Sequence, residues 1–306
     1  MYLYHYGLRE LPFTITPNTS FYFGLPSHDE AMQVLTTALK TGEGFIKVTG
    51  EVGTGKTLLC RKLLNETQDS FEVAYLPNPA LSPDEIRFAL ASELKIRGIS
   101  NINQQQLSQK IQLKLLELNG KGKSVLLVID EAQTIPWESF EALRLFTNLE
   151  TESRKLIHVV LFGQPELDQM LKSDRLRQIR QRITFSYKLR ALTLDEVRAY
   201  VQHRVRVAGY KGKQLFTPSA VKMLYKYSGG IPRLVNILSH KALMLTYGLG
   251  QQEVGKKQVV YAAKDTDSAK AESLGIWAIA LVLSSISLAG LFGWYWLWPI
   301  VKGQLQ

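Results

Sequence analysis

The chain has 306 residues, 45% of them hydrophobic and 21% charged, with a single cysteine and a formal net charge of +10. One cysteine excludes a disulfide framework and points to a reducing compartment for the folded bulk, while the length allows one large domain or two modest ones with appendages. The positive balance favours contact with phosphates, whether of nucleic acid or of anionic lipid headgroups.

The opening MYLYHYGLRELPF lacks the basic start and continuous apolar core of a signal peptide, so no export of the N-terminal bulk is expected. FIKVT, residues 45–49, is apolar and β-branched, which predicts a buried strand. GEVGTGKT follows at 50–57, then LLCRKLLNE with apolar residues at helical spacing, where Cys60 is expected to pack in the core. Strand, glycine loop and helix form the context in which G-x-x-x-x-G-K-[ST] binds phosphate. Loop N–H groups turn inward and the helix N-terminus adds partial positive charge. Residues Gly50, Glu51, Val52, Gly53, Thr54, Gly55, Lys56, Thr57 and Leu58 are the candidate ATP-binding set. Lys56 is expected to reach the β and γ phosphates, and the Thr57 hydroxyl to ligate Mg²⁺.

FEVAYLPN, residues 71–78, reads as a second strand ending in Asn78, and SVLLVIDEAQ as a third ending in two acids. Asp130 at that strand's terminus is placed to hold Mg²⁺. Glu131, one residue on, is placed to orient and deprotonate an attacking water. IHVVLF, residues 157–162, is a fourth strand with Gln164 just beyond it. Lys172 to Arg190 then carries seven basic residues and one acid, Asp174.

A helical region follows. Thr193 with Glu196 forms a capping box before the apolar series Val197, Tyr200, Val201 and Val205. Thr217-Pro218 starts a second helix that Gly229-Gly230 ends, and Pro232 opens a third running to about Tyr247. Arg233 lies in that third helix's first turn, where the dipole disfavours a cation. A polar stretch without an apolar run reads as a linker. Beyond it no charge occurs between Glu272 and Lys302. Leu274–Trp298 would make a helix about 37 Å long, enough to span a hydrocarbon core, with Trp294, Tyr295, Trp296 and Trp298 at one boundary. Lys256, Lys257, Lys264 and Lys270 precede it and Lys302 follows it. The positive-inside rule therefore puts the N-terminal bulk in the cytoplasm. The five histidines, His5, His28, His158, His203 and His240, show no metal spacing.

These blocks, with PFTITPNTSFYFGLPSHDEAMQVL before the glycine loop and LRQIRQRI and SGGIPRLVNILSHKALM after it, resemble the AAA+ ATPases. More narrowly, residues 1 to 260 resemble the ExeA-like family, also called general secretion pathway protein A. The resemblance implies an α/β P-loop core with a parallel sheet flanked by helices, an all-α lid and one C-terminal transmembrane helix. It divides the chain into a family segment at 1–40, an ATPase core at 41–190, a lid at 191–262, a polar linker at 263–273, the span at 274–298 and a short tail at 299–306. A peptidoglycan-binding domain found beyond the span in the family's namesake is not expected in that tail.

The resemblance also implies roles. Gln164 takes the sensor-1 position, near the γ-phosphate or lytic water, and Asn78 is placed like the residue that restrains the catalytic glutamate. Arg182, with Arg180 second, is the arginine offered to a neighbouring subunit's ATP, and Arg233 is the lid's sensor-2. Subunits would then meet head to tail in a ring or spiral. The implied protein is an ATP- and Mg²⁺-dependent hydrolase at the bacterial inner membrane, single-pass, serving type IV pilus biogenesis of the MSHA kind or type II secretion through other membrane proteins. Two alternatives stay open: a DNA-associated regulatory ATPase of the TniB and TnsC transposition type, although no helix-turn-helix or zinc module is visible, and an ATP-dependent scaffold with little turnover.

Overall fold

The structure is a computed structural model and describes residues 2–15, 19–100, 102–151 and 154–269. The chain opens with α1 (Tyr2–Tyr6) and α2 (Pro26–Lys40), and then alternates between strands and helices. β1 (Phe45–Gly50) leads into α3 (Lys56–Thr67), and β2 (Phe71–Leu76) into α4 (Pro83–Glu93) and α5 (Gln104–Gly120). β3 (Ser124–Ile129) precedes α6 (Trp137–Thr147), and β4 (Ile157–Gly163) precedes α7 (Pro165–Leu171) and α8 (Arg177–Arg182). β5 (Ile183–Leu189) closes the sheet. Its order is β2-β3-β4-β1-β5, with every neighbouring pair parallel.

Helices cover both faces of the sheet, which is why β3 and β4 are largely apolar rather than alternating. Successive side chains of β3 point to opposite faces. Leu127 and Ile129 pack with Ile86, Leu107 and Phe140 from α4, α5 and α6. Leu126 and Val128 pack with Leu35, Leu59 and Cys60 from α2 and α3. Each such fully buried side chain contributes roughly 1.5–3 kcal/mol of transfer free energy. Cys60 is fully buried, and burial pushes its thiol well above the ordinary range, so it packs as expected and is not poised to react. Because the strands are parallel, β1 and β3 end on the same edge, where ligands of open α/β sheets bind.

Among the described residues the lid holds four helices: α9 (Leu194–Val207), α10 (Pro218–Ser228), α11 (Pro232–Gly248) and α12 (Lys256–Lys264). The first three start where expected, and the second and third end within a residue of the expected place. Thr193 and Glu196 form the capping box, the Thr217 hydroxyl accepts the Ala220 N–H, and Gly229 ends α10 in the left-handed conformation. The fourth corrects the expectation of three. Val259, Ala262 and Ala263 are buried at helical spacing on a short segment that packs against α10 and α11. The lid boundary at 262 and the linker start at 263 therefore cut through α12. Among the described residues no helix is long and apolar enough to cross a membrane. The predicted span at 274–298, the tail at 299–306 and the linker beyond 269 lie outside the described residues.

Glu196 joins core to lid: it accepts two bonds from the Arg190 guanidinium, at 2.7 and 2.8 Å, besides capping α9. The guanidinium foremost, aided by the Thr193 bonds, holds its carboxyl down at about 2. A depressed carboxylate stabilises the fold above its unfolded pKa, near 4.3, and loses that contribution as pH falls through the folded value. Glu196→Gln is therefore expected to lower stability by about 1 kcal/mol at pH 7. In denaturant titrations that difference should shrink between about pH 4.5 and pH 2, where both chains carry a neutral side chain.

Candidate functional site

The glycine loop is shaped by backbone that side chains rarely adopt. Gly53 has φ +83° and Gly55 φ +100°, and a Cβ on Gly53 would lie 2.5 Å from the Arg233 Cβ. The loop thus passes directly under the start of α11, and the Arg233 N–H donates to the Gly53 carbonyl at 3.2 Å. Lys56, first residue of α3, donates to the Gly50 and Glu51 carbonyls at 2.8 and 3.1 Å. Burial lowers its pKa, while the charges of Glu131 and Asp130 oppose that. His28, on the first turn of α2, props the loop from below: its Nε2 donates to the Thr54 carbonyl at 2.9 Å, and its ring fills the space beside Gly55. Burial lowers the pKa of His28, favouring the neutral ring. A lone histidine in a helix carries no sequence cue to such a role.

Asp130 and Glu131 stand at the end of β3 beside this loop. The Thr57 hydroxyl donates to Asp130 Oδ2 at 2.8 Å. Asp130 is 3% exposed, and burial raises its pKa against the Thr57 bond. A buried carboxylate that is costly to ionise, joined to a hydroxyl, is a hard-oxygen donor pair suited to Mg²⁺, which takes one or two carboxylates and completes its shell with water and substrate phosphates. Among the described residues no cluster of three His, Cys, Asp or Glu is present, so an all-protein metal cage is not built there. Thr57 and Asp130 would hold the ion, whose chemistry is to neutralise charge on the phosphates.

Glu131 occupies the left-handed region at φ 51° and ψ 39°, a strained backbone for a non-glycine residue. Its carboxylate Oε2 accepts from Gln133 Nε2 at 2.6 Å and from Gln164 Nε2 at 3.0 Å. Gln133 Oε1 in turn accepts the Gln164 N–H at 2.9 Å. Burial pushes the Glu131 pKa up, but the bonds from Gln164 and Gln133 and the charge of Lys56 outweigh it, and the carboxyl sits below its ordinary value. An ionised, oriented carboxylate is what a general base for water requires. Gln133, like His28, carries no cue in the sequence: it closes a three-membered clasp with a partner 31 positions away.

The predicted residues do not all converge. Lys56, Thr57, Glu131, Gln164 and Arg233 line one cavity of about 440 Å³ with Gly53, Thr54, Gly55, Val52 and Leu58. Gly50, Glu51 and Asp130 belong to the same loop and strand ends. Asn78 is not brought to Glu131. It is exposed, and its Oδ1 accepts the Ala80 N–H at 3.4 Å, a local turn, so the clasp on the glutamate comes from Gln133 and Gln164 instead. Arg182 lies beside Phe45 at the start of β1, about 17 Å of strand from the loop that follows its end. Its Nη1 donates to the Thr147 hydroxyl at 3.2 Å. Arg180 donates to the Leu171 and Lys172 carbonyls. Neither serves the phosphate loop of its own chain.

Comparison with known proteins adds three findings. Residues 39–171 match the family described as "AAA domain". The chain is 39% identical over 298 residues to General secretion pathway protein A of Aeromonas hydrophila, an alignment covering 96% of this chain and 54% of that relative. The chain thus spans about half the length of the curated relative it matches. Among solved structures, the Aeropyrum pernix ORC2 protein aligns with a TM-score of 0.60 at 16% identity, over 91% of this chain and 80% of that one. Cdc6p from Pyrobaculum aerophilum gives 0.62 at 18%, over 81% and 70%. The Thermotoga maritima RuvB Holliday junction branch migration motor gives 0.55 at 16%, over 85% and 76%. At those identities the likeness establishes the fold: an AAA+ P-loop α/β core. The AAA domain match, over residues 39–171, falls on that same core.

Proposed function

We propose that this chain is an AAA+ ATPase anchored in the bacterial inner membrane by residues 274–298, with its nucleotide-binding bulk on the cytoplasmic side, and that it hydrolyses ATP with Mg²⁺ to drive or time assembly of an envelope machine. The machine is of the type IV pilus or type II secretion kind, and the residues MYLYHYGLRELPF favour the MSHA pilus protein MshM as a counterpart. One observation carries the hydrolytic part: the Thr57–Asp130 pair and the Glu131 carboxylate, held by Gln133 and Gln164, face the same glycine loop. Identity to General secretion pathway protein A supports the envelope role, and the uncharged stretch before Lys302 supports the anchor. In this reading Arg233 contacts phosphates from the lid, Gln164 acts as sensor 1, and copies meet head to tail so that Arg182 completes a neighbour's site.

Lys56→Ala in the full-length chain tests the reading. Lys56 is a cation buried at the loop itself, so its removal is expected to weaken ATP binding at least a hundredfold, as judged by displacement of a fluorescent nucleotide, while the protein still fractionates with membranes. Wild-type protein isolated in detergent is expected to bring pilus or secretion components with it. A chain that stays in the soluble fraction overturns the anchored reading, and unchanged nucleotide affinity in Lys56→Ala overturns the site. Salt-sensitive retention of DNA by wild type would instead support the transposition-type alternative.

A further inference from the structure

The lid buries a guanidinium that no carboxylate balances among the described residues. Arg204, on α9, is 7% exposed, and among the described residues its partners are all uncharged. Other arginines in and around α9 behave differently: Arg190 pairs with Glu196 and Arg198 with Asp195, both near solvent. Arginine stays protonated in proteins, so this one carries its charge indoors. A buried cation without a counter-ion is costly unless its donors are satisfied and something else repays it.

Its donors are satisfied from far along the chain. Nε donates to the Pro12 carbonyl, Nη1 to the Tyr200 hydroxyl at 2.9 Å, and Nη2 to the Thr14 hydroxyl at 3.5 Å. The plane lies over the Phe21 ring, 4.8 Å from its centroid. The Tyr200 hydroxyl donates to Asn236 Oδ1 of α11 at 3.1 Å, and Asn236 Nδ2 donates to the Thr14 carbonyl at 3.3 Å. Pro12, Thr14 and Phe21 are thereby fastened to two lid helices, by Arg204 from α9 and by Asn236 from α11. That fastening forms the wall of the cavity opposite the glycine loop, where Thr14, Phe21, Tyr200, Arg204 and Asn236 line it.

We propose that Arg204 is the positioning residue of the nucleoside end of this cavity. It holds Pro12, Thr14 and Phe21 against the lid so that base and ribose have a wall to pack on. The proposal rests on the reading of the cavity as a nucleotide site. It separates two contributions to affinity: the phosphate chain is held by the loop and Lys56, the nucleoside by what Arg204 assembles.

Full-length protein in detergent tests this with two probes, ADP and inorganic tripolyphosphate, each measured by displacement of a fluorescent ADP analogue. Arg204→Gln is expected to weaken ADP binding roughly ten- to a hundredfold, the range for losing hydrogen bonds to a charged group. Tyr200→Phe, a smaller change, should weaken it severalfold. Arg204→Lys should recover part of the loss by keeping the charge and one donor. Tripolyphosphate, which lacks a nucleoside, is expected to bind all four proteins within about twofold of one another, and with ATP the loss should fall on KM rather than kcat. Equal ADP affinity across the set overturns the proposal. So does parallel loss of ADP and tripolyphosphate, which would make Arg204 a support of the lid's fold alone. Wild type that binds tripolyphosphate but not ADP also overturns it, whereas wild type that binds neither removes the nucleotide reading itself.

Discussion

Glu131→Gln is expected to leave ATP affinity within about threefold of wild type and to lower kcat by roughly 10²–10⁴-fold, the usual worth of a positioned general base. The substitution is nearly isosteric. A glutamine oxygen can still accept from Gln133 and Gln164, so the clasp and the left-handed backbone at residue 131 need not move. What changes is charge and basicity. Removing the charge of Glu131 takes an anion away from the phosphates that enter the same cavity, so phosphate binding should tighten slightly rather than weaken. Single-turnover phosphate release, measured beside equilibrium nucleotide binding, separates these effects. Turnover within threefold of wild type would show that another group activates the water, and would leave the clasp as a device for orienting the loop. Loss of binding would place Glu131 in substrate affinity instead.

How much of this site could be read from the chain depends on how local each interaction is. The glycine loop was legible because its demands are consecutive: Gly53 and Gly55 need positive φ, Lys56 and Thr57 open the next helix, and the strand before them is apolar. The Asp130–Glu131 pair was legible because five apolar residues precede it, and only a strand end exposes such acids beside a loop. Caps at Thr193 and Thr217 are local as well, since each side chain bonds an N–H three residues on. Asn78 shows the limit of a local cue. An Asn before a proline satisfies its own turn, and nothing within the segment FEVAYLPN tells whether it also reaches a glutamate. Gln133, His28 and Arg204 were silent for the opposite reason. Their partners lie 31, 26 and more than 180 positions away, and only the packing of α2, β3, β4 and the lid brings them together. The fourth lid helix escaped because its buried residues, Val259, Ala262 and Ala263, are small and few.

Arg182→Ala is expected to bind ATP like wild type, to hydrolyse as slowly as dilute wild type, and to lose the rise in specific activity with protein concentration, a deficit of about 10³-fold if the arginine acts as trans fingers do elsewhere. The geometry makes a sharp demand. Arg182 sits at the start of β1 and the phosphate loop at its end, so one molecule cannot bring both to the same phosphate. Arg180 is the weaker candidate, because its guanidinium is already engaged with carbonyls at the C-terminal end of α7, where a cation is favoured for structural reasons. Arg180→Ala should therefore cost less activity than Arg182→Ala. Complementation decides the matter. Lys56→Ala keeps the arginine but has no working phosphate loop; Arg182→Ala keeps the loop but has no arginine. Each alone should be nearly inactive, yet mixed in equal amounts at high concentration they should regain activity, since every joint that pairs a Lys56→Ala arginine with an Arg182→Ala loop is complete. A mixture no more active than its parts would mean that the arginine does not cross between subunits, and the head-to-tail assembly would lose its catalytic reason.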